Sequence, residues 1–234
     1  MRYITAYYTD KGQRNSNQDS LVIKAMDHAG RKLILLAVAD GVGGLELGEL
    51  ASGTVVNDLS KAFENLGTID GELTRDRIIS NIRSTLAASH DKINEYISKS
   101  GKQIASTVVL IAIYGDSYIA MNAGDSRLYR MHGSDLERVT EDDNCGGHVL
   151  TQCIGANQQL VPHIYEGELA AHMSFLLCSD GFYGLMEDSE LRQLLESRDD
   201  KATLTTWLSA KGQELMARGE RDNMTAVVFR VDEL

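Results

Sequence analysis

Hydrophobic residues along the chain follow two periodicities, which predict many strands and four helices. Alternating or uninterrupted apolar runs of about five to ten residues are typical of strands. They predict strands at about 3–9, 20–26, 33–39, 105–114, 117–123, 126–131, 163–169, 174–179 and 225–231. Apolar residues that recur every three or four positions indicate amphipathic helices instead. This second pattern predicts helices at about 46–66, 74–99, 187–196 and 200–217.

The spacing of these elements indicates the class of fold. Tight polar turns at 114–117 (YGDS) and 122–125 (NAGD) separate neighbouring strands, which is typical of antiparallel hairpins. The helices are grouped in the middle and near the end of the chain. This arrangement favours an α+β layered domain over a doubly wound parallel sheet. No proline-rich, serine-rich or charged linker divides the sequence, so we expect residues 1–234 to form a single domain.

Composition limits the partners and the compartment. With a formal net charge of −11, the chain offers no evident basic patch for nucleic acid or an anionic membrane, so we expect neither as a partner. No apolar stretch is long enough to predict a membrane span. Three cysteines without dense spacing favour a reducing compartment, and the expected location is cytoplasmic. Zinc at Cys145, His148 and Cys153 is disfavoured because no fourth ligand is apparent.

Two predicted buried strands end in the same dipeptide, Asp-Gly, and three further aspartates lie in short polar segments. Asp40-Gly41 follows the run 33–39, and Asp180-Gly181 follows the run 175–179; the others are Asp19, Asp125 and Asp222. A carboxylate just past a buried strand is held rigidly yet faces solvent. Converging carboxylates repel one another unless cations compensate them, and Mg²⁺ and Mn²⁺ prefer oxygen ligands. The pattern predicts a metal-dependent hydrolase.

Six short motifs occur in one order along almost the whole chain. They are 14–20 (RNSNQDS), 38–44 (VADGVGG), 105–107 (AST), 123–127 (AGDSR), 178–181 (CSDG) and 221–225 (RDNMT). Asp-Gly alone is usually only a turn, but six motifs in order, each at a predicted strand end or loop, form a specific signal. Together they resemble the metal-dependent protein serine/threonine phosphatase family, type 2C, in its compact bacterial form.

The resemblance implies a fold and an activity. The fold is a four-layer αββα sandwich, in which helix pairs flank two antiparallel sheets. The activity is hydrolysis of phosphoserine and phosphothreonine in proteins by a water that bridges two Mn²⁺ or Mg²⁺ ions. The implied partner is a phosphoprotein, the substrate of a serine/threonine kinase.

The resemblance also assigns metal ligands by motif position. Asp40 bridges the two ions, and the carbonyl of Gly41 ligates one of them. Asp180 and Asp222 complete the shell of the other ion. Asp19 acts mainly through metal-bound water. The alternative for each of these aspartates is a purely structural role, in an ordinary turn or at a solvated strand start.

Two further residues complete the expected site. Asp125, paired with Asp180, matches a weaker third metal position. The alternative is that Asp125 simply caps a hairpin turn. Arg14 matches the arginine that grips the substrate phosphate, because its planar fork suits two oxygens; the alternative is a surface cation. The expected catalytic residues are therefore Arg14, Asp40, Asp180 and Asp222.

The chain departs from the family pattern at two places. The motif glycine precedes Arg14 by two positions (Gly12-Gln13-Arg14), one residue fewer than usual. The flap segment, residues 143–149, is nearly deleted, so we expect an open site whose selectivity comes from a partner or another surface.

Two other functions remain open: a catalytically weak phosphoprotein- or partner-binding module of the same fold, and a two-metal enzyme acting on small phosphoesters or nucleic acid.

Overall fold

The computed structural model describes residues 1–42, 47–146, 149–156 and 159–234, and in these ranges the chain forms twelve strands and five helices. The strands are β1 (Arg2–Asp10), β2 (Asp19–His28), β3 (Arg31–Asp40), β4 (Ala105–Ser106), β5 (Val108–Tyr114), β6 (Ser117–Ala123), β7 (Arg127–His132), β8 (Asp135–Arg138), β9 (Ile154–Gly155), β10 (His163–Glu168), β11 (Ser174–Cys178) and β12 (Met224–Glu233). The helices are α1 (Gly48–Gly67), α2 (Arg75–Ser100), α3 (Asp180–Tyr183), α4 (Asp188–Glu196) and α5 (Lys201–Arg218).

Two five-stranded antiparallel sheets form the centre of the molecule. The first sheet has the order β1-β12-β11-β7-β8, and the second has the order β10-β6-β5-β3-β2. Helices α1 and α2 pack on the outer face of the second sheet, while α4 and α5 cover the outer face of the first. The chain is therefore a four-layer αββα sandwich, and the predicted fold class is confirmed. That it forms one domain stays a prediction.

Strand β3 shows why several strands are apolar without alternation. Alternate side chains of β3 enter the core shared with α1 and α2, and the side chains between them enter the core between the two sheets. The first set is Leu33, Leu35 and Ala37, and the second is Ile34, Leu36 and Val38. A strand buried on both faces reads as a continuous apolar run, and this run carries Asp40 to the sheet edge.

Some elements differ from the sequence prediction. The strand predicted at 105–114 is divided at Thr107 into β4 and β5, because the backbone of Thr107 bonds to the end of β3. Strand β8 was missed because it is a mostly polar edge strand with a single leucine, Leu136. The strands predicted at 163–169 and 174–179 lie in different sheets. Among the described residues, no helix is long and apolar enough to cross a membrane.

The core between the sheets provides a first test. Phe175 is fully buried there, 5.1 Å from the ring of Tyr118 and 6.4 Å from that of Phe229 between centroids. We expect Phe175→Ala to lower the free energy of unfolding by about 3–5 kcal/mol, because it leaves a cavity between the two sheets. Urea unfolding followed by circular dichroism measures this. Tyr7→Ala is the control, because Tyr7 is 52% exposed; an equal loss in both variants would contradict the assignment of the core.

Candidate active site

Four aspartates from both sheets line one open cavity of about 420 Å³ at an edge of the sandwich. Asp40 ends β3, Asp125 lies between β6 and β7, Asp180 begins α3 directly after β11, and Asp222 precedes β12. The cavity is lined by Arg14, Asp40, Val42, Thr107, Asp125, Leu150, Asp180, Glu220, Arg221 and Asp222. Four of the five predicted aspartates, which lie up to about 180 residues apart in sequence, therefore line the same cavity.

Thr107 holds Asp40 at the end of its strand. The backbone nitrogen of Asp40 donates to Thr107 Oγ1 over 3.1 Å, and its carbonyl accepts from the Thr107 nitrogen over 2.8 Å. Thr107 Oγ1 also lies 2.7 Å from the hydroxyl of Ser126, next to Asp125. The hydroxyls of Thr107 and Ser126 thus join two of the acidic motifs.

Gly41 fits between two backbone segments, at Gln18 and at Gly48. Its nitrogen donates to the carbonyl of Gln18 over 3.0 Å. A Cβ at this position would lie 2.5 Å from the carbonyl group of Gly48 and 2.8 Å from the Gln18 carbonyl oxygen. Only glycine allows this approach, which fixes the backbone directly after Asp40. Gly43 and Gly44 of the same motif lie outside the described residues.

Asp19 lies behind the cavity, at the start of β2, opposite Asp40 in the strand register. It is buried, and its Oδ2 accepts a 2.7 Å hydrogen bond from Ser179 Oγ. The same Ser179 hydroxyl accepts from the backbone nitrogen of Thr225 over 2.9 Å. Oδ1 of Asp19 is buried and, among the described residues, has no hydrogen-bond partner. A carboxylate oxygen left this way is costly unless a further group satisfies it.

Burial and mutual repulsion raise the pKa values of three of the carboxylates, Asp19, Asp40 and Asp125. Burial raises the pKa of Asp40 well above its usual range, and the charges of Asp19, Asp180, Asp222 and Asp125 raise it further. Burial raises the pKa of Asp19 to about 6, although its hydrogen bond from Ser179 opposes the shift. Burial and the charge of Asp180 raise the pKa of Asp125 to about 6. The cluster therefore has excess negative charge that a cation would compensate.

The donor set fits hydrated Mg²⁺ or Mn²⁺ better than a metal enclosed by side chains. Among the described residues, no three His, Cys, Asp or Glu side chains are grouped so that they could hold an ion by themselves. The candidate donors are the carboxylates that line the cavity and the backbone carbonyl expected at Gly41, with the unsatisfied Oδ1 of Asp19 behind them. Mg²⁺ is usually bound by one or two carboxylates and keeps several waters, so an open site with few side-chain ligands per ion suits it.

Arg14 is paired with Asp222. Its Nε donates to Oδ1 over 3.0 Å and its Nη2 to Oδ2 over 2.7 Å. The short loop before it explains this position: Gly12 has φ +57°, and a Cβ there would lie 2.2 Å from the Asp222 carbonyl oxygen. The Gln13 nitrogen also donates to the carbonyl of Arg221 over 3.1 Å. The guanidinium thus reaches the cavity, while the expected phosphate contact stays a prediction.

Asn223 was given no role from the sequence, yet it fixes the loop that carries Arg14. Its Oδ1 accepts from the backbone nitrogen of Gln18 over 2.8 Å. Its Nδ2 donates to the carbonyls of Lys11 and Ser16, both over 2.9 Å. Asn223 belongs to one of the motifs, as Ser179 and Thr107 do, but nothing in the sequence indicates which way such a polar side chain points.

The shortened flap is attached to the Asp125 turn. Asp143 Oδ2 accepts from the Gly124 nitrogen over 2.9 Å, and Asp143 Oδ1 lies 2.8 Å from His163 Nε2. Beyond it, Asn144 pairs with Leu150, which lines the cavity. His148 lies outside the described residues. The expectation of an unusually open site stays a prediction.

The raised pKa of Asp19 predicts a pH dependence of the metal-free protein. Its pKa is about 6 in the folded protein against an ordinary value of 3.8, so the folded state binds more protons between these pH values. The free energy of unfolding should therefore fall as pH rises through this window, by at most about 3 kcal/mol. We expect Asp19→Asn to remove this loss and to stabilise the chelator-treated protein above pH 6, but not below pH 4.

Thermal unfolding across this pH range measures the effect. Asp70→Asn, at an exposed position, is the control and should behave as the wild type. A metal-free Asp19→Asn variant that is less stable than the wild type at neutral pH would show that the charged Asp19 carboxylate does not destabilise the folded protein.

The sequence and the fold are similar to those of known phosphatases. A family model described as protein phosphatase 2C matches residues 10–219. Protein phosphatase PhpP of Streptococcus pneumoniae is 26% identical, with 96% of each chain covered. Serine/threonine phosphatase stp of Listeria monocytogenes is 25% identical, with 97% of this chain and 95% of the relative covered.

Among solved structures, PppA, described as a key regulatory component of T6SS in Pseudomonas aeruginosa, is 31% identical with a TM-score of 0.81 and 98% coverage of both chains. Stp1 from Staphylococcus aureus superposes with a TM-score of 0.85 at 21% identity, covering 100% of this chain and 96% of Stp1; at this identity it shows the fold alone. The predicted family and enzyme class are confirmed: the chain is a protein phosphatase, and it belongs to the protein phosphatase 2C family.

Proposed function

We propose that the protein removes phosphate from phosphoserine and phosphothreonine in protein substrates, with Mn²⁺ or Mg²⁺ held by the aspartate cluster. The observation that carries the proposal is the meeting of Asp40, Asp125, Asp180 and Asp222 in one open cavity beside Arg14. The names of relatives that align along almost their whole length support the same activity.

Each residue would have a separate part in holding the ions. Asp40 and the carbonyl of Gly41 would hold one ion. Asp40 would also contact a second ion, whose remaining protein ligands would be Asp180 and Asp222. Asp19 would act through water, and Asp125 with Asp180 would hold a weaker third ion. Bound divalent cations supply an activated water and offset the charge of the phosphoryl group.

The side chains of the protein position the substrate. The guanidinium of Arg14 stands at the cavity beside Asp222, and its side chain is 48% exposed. An arginine fork can hold two phosphate oxygens at once, so Arg14 would turn from Asp222 toward the substrate phosphate. The hydroxyl bonds of Thr107 and Ser179 keep Asp40 and Asp19 in place, which limits reorganisation when substrate binds.

The substrate would be a phosphoprotein made by a serine/threonine kinase, and the location would be cytoplasmic. A binding module without turnover is disfavoured because the aspartates at all five motif positions are present and four line the cavity. The other alternative, an enzyme that acts on small phosphoesters, would differ from a protein phosphatase in its substrate preference.

The first test is hydrolysis of a phosphothreonine peptide. We expect phosphate release with Mn²⁺, none after chelation, and a loss of at least about a hundredfold in kcat for Asp180→Asn, because that change removes a charged metal ligand. Asp116→Asn is the matched control, because Asp116 is exposed in the turn after β5, at the opposite end of the strand from Thr107.

Three results would separate the alternatives. Turnover that survives chelation would refute the metal role. Faster hydrolysis of small phosphoesters than of phosphopeptides would refute the protein substrate. A folded, metal-loaded protein that binds the peptide without turnover would indicate the binding module.

Arg14 provides a second test. We expect Arg14→Ala to lower kcat/KM for the phosphopeptide by about tenfold to a hundredfold, since a hydrogen-bonded charge is lost from the phosphate. Arg14→Lys should recover only part of this, because an ammonium cannot make two parallel bonds. Steady-state kinetics measures both variants, and an unchanged kcat/KM in Arg14→Ala would leave Arg14 as a surface cation.

A further inference from the structure

Arg221 lines the same cavity as Arg14 and the aspartates. Its backbone is fixed on two sides: its carbonyl accepts from Gln13 over 3.1 Å, and its nitrogen donates to Glu220 Oε1 over 2.7 Å. The same Glu220 oxygen accepts from the nitrogen of Asp222 over 2.9 Å. One oxygen of the Glu220 carboxylate thus accepts two hydrogen bonds from the backbone of this turn.

The charge of Arg221 is free, unlike that of Arg14. The fork of Arg14 donates to both oxygens of Asp222. The guanidinium of Arg221 is exposed and has no ion pair or side-chain hydrogen bond in the part of the chain that the structure describes. It is therefore the available cation on a wall whose other charges are mostly carboxylates.

We propose that Arg221 is a specificity-determining residue, which favours phosphopeptides with Asp or Glu within two positions of the phosphorylated residue. This inference rests on the proposed function and names a substrate class for it. Two residues of extended peptide span about 7 Å, which is about the reach of an arginine side chain. Without a free cation, the acidic cavity would repel such a peptide.

Glu220 is the acidic residue directly before Arg221 in the sequence. Its Oε1 accepts two backbone hydrogen bonds, and among the described residues it makes no ion pair with Arg221. The turn that holds Asp222 in place therefore leaves the Arg221 side chain available. The bond from Gln13 to the Arg221 carbonyl also puts the two arginine-bearing loops side by side, so one guanidinium could hold the phosphate while the other holds a flanking carboxylate.

The experiment compares two phosphothreonine peptides that differ only in flanking residues, Glu in one and Ala in the other, at positions −2 and +2. The readout is the ratio of kcat/KM for the Glu peptide to that for the Ala peptide, with Mn²⁺ at low ionic strength. We expect a ratio of about three to five in the wild type, the size of a partly exposed ion pair. Arg221→Ala should lower it to about one, and Arg221→Glu should reverse it.

Arg77→Ala is the matched control. Arg77 is exposed on α2, away from the residues that line the cavity, and its loss changes the net charge equally. It should keep the wild-type ratio. The preference should also fall as salt is added, since exposed charges are screened over about 10 Å at 0.1 M.

The outcomes distinguish this inference from the proposed function. A wild-type ratio near one, or a preference retained in Arg221→Glu, would overturn the role of Arg221 while leaving the phosphatase reaction intact. If neither peptide is hydrolysed, the proposed function fails; binding of the two labelled peptides, measured by fluorescence anisotropy with Mn²⁺, then gives the same ratio. Equal binding to both would overturn the inference as well.

Discussion

Electrostatic repulsion among the clustered aspartates is the constraint on which the active site depends. Burial raises the pKa of Asp40, and the charges of four other carboxylates raise it further. A cluster like this would open or take up protons if its side chains were on mobile loops. Here β2 and β3 pair through the site and place Asp19 opposite Asp40. The paired strands therefore keep the carboxylates close together despite their repulsion. This charge distribution favours a state with bound cations over the metal-free state.

The site also joins the two sheets. Asp19 begins a strand of the second sheet, whereas Ser179, which donates to it, follows β11 of the first. Gln18 and Asn223 make a second bond of this kind. The positions of the carboxylates therefore depend on how the sheets pack, and the rings of Tyr118, Phe175 and Phe229 lie in the core between them. Residues far from the carboxylates therefore contribute to the geometry of the site.

The sequence predicted the parts of the molecule that leave a local pattern. Strand β3 was evident because both of its faces are buried, and Asp40 was evident because a turn follows it. Strand β8 is a polar edge strand, and α3 has only four residues, too few for a helical period. The pairing of Arg14 with Asp222 joins residues 208 positions apart, so only the tertiary structure reveals it. Thr107 and Ser179 lay within motifs, but their roles depend on the direction of a hydroxyl.

Net charge is a poor guide to what this site can bind. The chain carries −11 overall, which by itself disfavours an anionic substrate. Binding is decided instead by the groups within a Debye length, about 10 Å at 0.1 M salt. At the cavity these groups include Arg14 and Arg221, on two loops joined by the bond from Gln13 to Arg221. Cations bound by the acidic cluster, together with these two guanidinium groups, would make the local field attract phosphate on a protein that is acidic overall.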